Sequence, residues 1–358
     1  MDGAWESLAQ RLVTGLDVQP GELIQVRGDP GSYEFLLELT LAIELAGATP
    51  LPELLPGDYS TRLLGSASPA YLAEWHRRRL PLLEQVDRVL TFQRPPLELS
   101  SIPPEALAAW ERSTHQLIEL EEARGLPVLV AALPSAGWAQ HLGLPQGDLE
   151  AVMMPALTAG VEELQAEIAR ILPALEGGET IEFHSGAGHA LTLQRGGRPW
   201  LSDDGLIDAA DRARGAVVSN LPAGSIYTTV LEDRAEGSLY LPRAGEAEEV
   251  VFHFEGGRIR VVEAAGGGEA LEAWLDGHSG EPRRISHVGV GLNPHLREPL
   301  GWTIVDEHVH GCLFFALGEN RYMGGENASS LNVDYTIPGA SILVNGRAVV
   351  PEGRIRPD

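Results

Sequence analysis

The chain reads as two domains of different fold class: an α/β domain built on a parallel sheet, then a mainly antiparallel β domain with an α+β character. Three observations predict this. Apolar runs of strand length alternate with amphipathic helical stretches up to about residue 172. A helix rich in Leu, Ala and Glu then ends at Gly177-Gly178, and the composition changes. Beyond that point short apolar runs alternate with Gly and Asp turns, and few helical stretches are visible. The boundary therefore falls between 177 and 178, giving domains of residues 1–177 and 178–358, and a length of 358 residues itself favours two cores.

Trp5, Leu8, Leu12, Val13 and Leu16 recur at helical spacing, and the pattern stops before Gln19-Pro20-Gly21. Glu22 to Arg27 reads as a buried strand, Gly28 to Gly31 as a tight turn, Tyr33 to Leu45 as a helix ended by Gly47, and Thr49 to Pro52 as a second strand. The unit is β-loop-α-β, which builds parallel sheets. Its turn lacks the GxGxxG fingerprint, so no dinucleotide or other organic cofactor site is expected there. The alternation continues with a helix at Ala70 to Glu84, a strand at Arg88 to Phe92, a helix at Pro104 to Arg124 and a strand at Pro127 to Ala132, for a three- or four-stranded parallel core. A long helix over Asp148 to Leu175 closes the domain. Downstream the expected strands are 180–183, 190–194, 217–219, 237–241, 249–255 and 258–263, with one helix at Gly268 to Leu275.

Composition excludes several classes of function. A formal charge of −25 and a pI near 4.8 repel a phosphate backbone, and no basic run overrides that field, so nucleic acid is not an expected partner. All 26 basic residues are arginine, which rules out Schiff-base and lysine-nucleophile chemistry. The single cysteine, Cys312, cannot form an internal disulfide and sits in an apolar run, as a buried thiol in a reducing cytoplasm would. The N-terminal stretch carries acids without a basic leader region, and no apolar run approaches the ~20 residues of a membrane span. The expected protein is cytoplasmic, with neither targeting segment nor membrane partner.

Chemistry-bearing residues concentrate between Ser286 and Ile337, where His287, Glu307, His308, His310, Tyr322, Asn332 and Asp334 stand among glycines. Short apolar runs broken by glycine suggest strands and tight turns that gather distant side chains into one pocket. His308 and His310 are two apart, so on a strand both would face one side; the alternative is that one or both line the surface beside Asp306 and Glu307. Glu307 is a candidate proton acceptor or metal-supporting carboxylate, with a surface ion pair as the alternative. His184 and His189 flank the turn Ser185-Gly-Ala-Gly188, and His189 is the better candidate base or substrate contact because an apolar strand follows it. Asp203-Asp204-Gly205 reads as a turn, and Gly324-Gly325 as a loop that lets the backbone pass close to the pocket.

Segments along nearly the whole chain resemble the aminopeptidase T type of metallopeptidases. They are Leu12 to Glu22, Glu44 to Ala48, Arg198 to Gly205, Ser219-Asn-Leu-Pro-Ala-Gly224, Glu236-Gly237 and the glycine-bounded stretch above. The resemblance implies that fold, a homodimer, and in the peptidases a pair of metal ions. At the places matching the peptidase ligands this chain has Ser225, His287, Phe314, Tyr322 one residue out of step, and Asn332 with Asp334. Only Tyr322 and Asp334 survive, and Ser225 and Phe314 cannot hold two mutually repelling divalent ions.

Ile285-Ser-His-Val-Gly-Val-Gly-Leu-Asn-Pro294 and Gly311 to Gly318 are more similar to the dihydroxypyridine dioxygenases of the same superfamily, non-haem iron enzymes that cleave rings. By that resemblance His287 and Asp334 are ligands of a single divalent transition metal, Fe(II) ahead of Zn, Co or Mn. Asn332 replaces the second histidine, and His308 or His310 completes the face. Three readings follow. One is a single-metal, dioxygenase-like enzyme acting on a small molecule; the second is a metallo-aminopeptidase taking short peptides; the third is a metal-free homologue kept for binding or assembly.

Overall fold

The computed structural model describes residues 3–77, 79–97 and 99–355. The chain divides into two compact units, and each takes two stretches of sequence. The first runs to Val161 and takes up Gly205–Pro222. The second comprises Glu162–Asp204 and the chain from Ala223 onward. The expected cut at 177 falls differently because two elements cross it, as described below.

In the first unit, α1 (Ala4–Gly15) leads into β1 (Leu23–Gly28), α2 (Tyr33–Leu45) and β2 (Thr49–Leu54), close to the expected spans. Ser32 caps α2 by accepting from the Phe35 N–H. The single helix expected over 70–84 is instead two short ones, following α3 (Tyr59–Ser66): α4 (Pro69–Ala73) and α5 (Leu80–Leu83). Pro81 lacks the N–H that continuation would need, and the His76 N–H is taken by Ser113 Oγ. Then come β3 (Arg88–Phe92), α6 (Pro104–Arg124), β4 (Val128–Ala131), α7 (Ala136–Leu142) and α8 (Gln146–Leu157). The Asp148–Leu175 helix is also two, because the chain breaks at Thr158 to Gly160 before α9 (Val161–Glu176). Thr158 Oγ1 turns back onto the Met154 carbonyl, which favours such a break.

Ile168, Ile171 and Leu175 of α9 are buried in the core of the second unit, so α9 belongs there. Conversely β8 (Val218–Leu221), expected among the antiparallel strands, lies parallel to β4 with Val128 opposite Val218. The sheet therefore has five parallel strands in the order β2-β1-β3-β4-β8.

The second unit holds two antiparallel sheets around one apolar core. A seven-stranded sheet runs β12-β11-β10-β6-β5-β16-β17, with β5 Thr180–Ser185, β6 His189–Gln194, β10 Glu236–Ala244, β11 Ala247–Glu255, β12 Arg258–Glu263, β16 Ser341–Val344 and β17 Arg347–Val350. A five-stranded sheet runs β15-β14-β13-β9-β7, with β7 Leu201–Asp203, β9 Ser225–Thr229, β13 Ile285–Gly291, β14 Leu313–Gly318 and β15 Asn332–Ile337. Of the three remaining helices, α10 (Ala209–Ala213) falls in the stretch taken up by the first unit, α11 (Gly268–Asp276) packs on β11 and β12, and α12 (Thr303–Asp306) leads into the turn that carries the histidines. No helix among the described residues is long and apolar enough to cross a membrane.

Candidate functional site

Register places the site residues on one face of the five-stranded sheet. In an antiparallel pair, directly opposite residues share a face. Asp203 stands opposite Ser225 and Ser225 opposite Gly291; Tyr227 stands opposite Gly289, and Gly289 opposite Phe314. Asp334 and Asn332 face Ala316 and Gly318 on β14, so they share that face. His287, opposite Thr229, completes it. The alternate residues, Ile226, Val288, Val290, Leu313, Phe315, Leu317, Tyr335 and Ile337, fill the apolar core behind. The period-2 alternation of a strand thus separates chemistry from packing.

The glycines of the SHVGVG segment make room on the polar face. A Cβ on Gly289 would come within 2.3 Å of Phe314 Cζ and 2.6 Å of the Ile226 carbonyl. On Gly291 it would come within 2.2 Å of the Val309 carbonyl and 2.6 Å of the His308 carbonyl carbon. Phe314 thereby lies beside His287, ring centroids 5.9 Å apart, with Tyr227 on another side at 5.8 Å. The turn carrying His308 packs directly onto β13.

His287 is 7 % exposed, and its Nε2 stands 3.0 Å from Asp334 Oδ1. That buried oxygen has no hydrogen bond of regular geometry. On the other side of the ring Nδ1 is 3.1 Å from Ser286 Oγ, whose own hydrogen goes to the Glu319 carbonyl at 2.6 Å. Ser286 therefore accepts from Nδ1–H and turns Nε2 toward Asp334. Asn332 donates through Nδ2 to the Tyr322 hydroxyl at 2.9 Å. Tyr322 is 60 % exposed, but its hydroxyl is desolvated beside Asn332, and its pKa is pushed up to about 12.

Glu307 keeps 14 % of its side-chain surface exposed, but burial of its carboxyl, with Asp334, Asp203 and Asp306 nearby, raises its pKa well above the ordinary carboxylate range. His308 is buried, with Nε2 3.5 Å from Glu307 and 3.9 Å from Asp203. Neither of its ring nitrogens makes a regular hydrogen bond, and burial lowers its pKa to about 4, opposed in part by a contact with the Gly224 backbone. Asp306 accepts from the Leu300, Gly301 and Trp302 N–H groups; burial nevertheless raises its pKa to about 6. Cys312 is buried as expected, and burial raises its thiol pKa to about 12.

The sequence-predicted residues therefore separate. His287, Asp334, Asn332 and Tyr322 come together, and Glu307 with His308 joins Asp203 beside them. The 308–310 segment is a turn after α12 rather than a strand, so its two histidines diverge: His310 Nε2 lies 3.5 Å from Glu167 on α9. His189 is on the seven-stranded sheet, where Nδ1 meets Ser238 Oγ at 2.9 Å and the ring stacks on Tyr240. His184 pairs with Glu182. Asp203, read as a turn residue, is the last residue of β7, and only the pairing of β7 with β9 brings it to the polar face. Among the described residues no group of three or more His, Cys, Asp or Glu side chains is arranged to hold a metal ion.

Fold and site together define a protein of a parallel α/β unit and an antiparallel unit, with a His–Asp pair on the second. Two solved structures share this fold. AmpT from Thermus thermophilus superposes with a TM-score of 0.72 at 19 % identity, over 98 % of this chain and 100 % of that one. The 2,5-dihydroxypyridine dioxygenase from Pseudomonas putida does so with a TM-score of 0.64 at 17 % identity, over 99 % and 97 %. In sequence, the chain is 25 % identical over 233 residues to a 2,5-dihydroxypyridine 5,6-dioxygenase of Pseudomonas putida, which covers 58 % of this chain and 63 % of that relative's length. The family model described as 2,5-dihydroxypyridine 5,6-dioxygenase matches residues 151–357. The chain belongs to that family.

Proposed function

We propose that this chain is a metal-dependent, ring-cleaving oxygenase acting on a small hydroxylated aromatic of the dihydroxypyridine type. The observation that carries the reading is the His287–Asp334 pair, with its unsatisfied Asp334 Oδ1, inside the segment matched by the family model. An imidazole and a carboxylate meeting at 3.0 Å suit one divalent transition metal, Fe(II) ahead of Zn, Co or Mn, with the Asn332 amide as a neutral third donor. Such an ion, when bound, supplies Lewis acidity and redox chemistry toward dioxygen. The chain's own residues do the rest. Tyr227 and Phe314 wall His287 and exclude water, and Ser286 holds the imidazole tautomer. Glu307, its pKa raised by burial and by the neighbouring acids, gives or takes a proton, and Tyr322 fixes Asn332.

The test is metal content per chain on untagged protein, with His287→Ala alongside. About one metal per chain that disappears in the variant, followed by loss of the ring absorbance of 2,5-dihydroxypyridine after anaerobic loading with Fe(II) and admission of air, supports the proposal. Two metals with release of N-terminal residues from short peptides would replace it with the aminopeptidase reading. No stoichiometric metal after exposure to Fe(II), Zn(II), Co(II) and Mn(II) would leave a binding or assembly homologue.

The proposal includes a cytoplasmic homodimer. A stripe on α2, Tyr33, Leu37, Leu41 and Leu45, each 46 to 83 % exposed at i, i+4 spacing, supports a helix face that a second copy covers. Leu37→Glu should then shift the mass measured by light scattering to that of a monomer.

A further inference from the structure

The first unit carries a second candidate site, independent of the metal reading. Its strand order, β2-β1-β3-β4-β8, reverses between β1 and β3: the chain leaving β1 crosses to β2 on one side, and the chain leaving β3 crosses to β4 on the other. In open parallel sheets ligands bind beyond the carboxyl ends of the strands at such a switch point. The structure has a small crevice there, open to solvent. Its walls come from the loops that leave the strands: Asp29 after β1, Gly57 after β2, Arg94 and Pro95 after β3, Leu133 and Ser135 after β4.

Two opposite charges face this crevice without neutralising each other. Arg94 donates to Ser60 Oγ, and among the described residues no carboxylate lies within 4.0 Å of its guanidinium. The neighbouring arginines differ: Arg27 is paired with Glu121 at 2.7 Å and Arg79 with Glu53 at 2.5 Å. Burial, with Arg27 nearby, lowers the Arg94 pKa against an opposing pull from the more distant Glu53 carboxylate. Asp29 spends one oxygen on the Gly31 N–H, 3.0 Å away. The other turns toward Gly57, where a Cβ would come within 3.3 Å of it. In a chain of net charge −25, a cation left open at a switch point is a specific feature rather than part of the general field.

We propose that this crevice binds a small zwitterion of the α-amino acid class, its carboxylate on Arg94 and its ammonium on Asp29. A simple oxyanion would satisfy Arg94 but be repelled by Asp29, and a simple cation would meet the reverse; a ligand bearing both charges satisfies both. Ser135 Oγ accepts from the Trp138 N–H at 3.3 Å, which leaves its own hydrogen to donate to the ligand carboxylate. Pro95 and Leu133 offer an apolar wall to a short side chain. The ligand lies wholly on the first unit, so this site stands or falls separately from His287 and Asp334.

Calorimetric titration of the full chain with L-alanine tests it, with acetate and ethylammonium as half-ligands. The expected result is saturable binding with Kd of about 1 mM, at least roughly tenfold weaker for either half-ligand. Arg94→Gln and Asp29→Asn should each weaken L-alanine binding by roughly tenfold or more, with circular dichroism and the urea midpoint confirming that they fold. If Arg94→Gln does not fold, Asp29→Asn alone decides. Absence of saturable heat from L-alanine and L-serine overturns the proposal. So does acetate binding as tightly as L-alanine, or undiminished binding in a folded variant.

Discussion

The two faces of the five-stranded sheet are built from the same strands under opposite rules. Behind, every second residue is a large apolar side chain: Val288, Val290, Leu313, Phe315, Leu317 and Tyr335 interdigitate in one core. In front, the same strands present His287, Gly289, Gly291, Phe314, Asn332 and Asp334. β13 is buried at all seven positions, so burial does not distinguish the faces. Space does. The rear face is filled by its own side chains, whereas the front face is left partly empty by glycine and filled by Phe314 and by the turn that carries Glu307 and His308. A site of this kind is made by withholding side chains as much as by supplying them.

The largest expected effect lies on the rear face. Phe315 is fully buried, and Phe315→Ala should cost about 3–5 kcal/mol in urea unfolding, from lost burial and the cavity left behind. A loss below about 1 kcal/mol would mean that the two faces do not differ in packing as described.

Next in size is a pH effect on the front face. The pKa of His308 is lowered in the fold, from 6.5 to about 4, so its contribution is present above about pH 6.5 and is lost as pH falls toward 4. Such a shift is worth up to about 3 kcal/mol. Asp306 acts with the opposite sign: its pKa is raised to about 6, so its contribution is present below its ordinary value of 3.8 and is lost as pH rises through 6. In His308→Gln, stability between pH 4 and 6.5 should therefore lose its acid-side decline and expose the Asp306 trend, falling as pH rises. An unchanged slope would show that His308 is not buried as a neutral ring.

The division into an α/β part and an antiparallel part was legible because hydrophobic periodicity reports local geometry directly, and β3 and α6 begin and end where the sequence pattern does. What was not legible depended on pairing across long separations. β8 has the apolar character of either sheet, and only its register with β4 assigns it to the parallel one. The site divided the same way. His287, Asp334 and Asn332 were singled out by resemblance around short strands, and the structure places them on one face. Asp203 was missed because a DDG turn signal hides a strand end. On a strand the spacing of His308 and His310 would turn both to one side; in the turn they occupy it does not, and one ring faces the acids while the other faces Glu167.

The clash distances at Gly289 sharpen the comparison further. Gly289→Ala should destabilise by about 1–3 kcal/mol, since the new methyl meets the Phe314 ring and the Ile226 carbonyl. The Phe314 part of that cost is removable and the Ile226 part is not. In a Phe314→Leu background the same substitution should therefore cost measurably less, and a double-mutant cycle reads the difference as a coupling of about 0.5–3 kcal/mol. Zero coupling would place the strain in the backbone contact alone.

The smallest effect is expected at the rim. Tyr322 is 60 % exposed and its hydroxyl accepts one hydrogen bond, from Asn332. Tyr322→Phe should leave global stability within about 0.5 kcal/mol, as for most surface changes. Its consequence is local. Without the hydroxyl, Asn332 loses the contact that holds its amide, while the 3.0 Å approach of His287 to Asp334 is made without that hydrogen bond. If Asn332 is the neutral third donor, Tyr322→Phe weakens metal binding by a smaller factor than His287→Ala and leaves the unfolding midpoint of the metal-free protein in place. Equal metal affinity in Tyr322→Phe and the parent chain would remove Asn332 from the donor set and leave the front face with His287 and Asp334 as its only aligned pair.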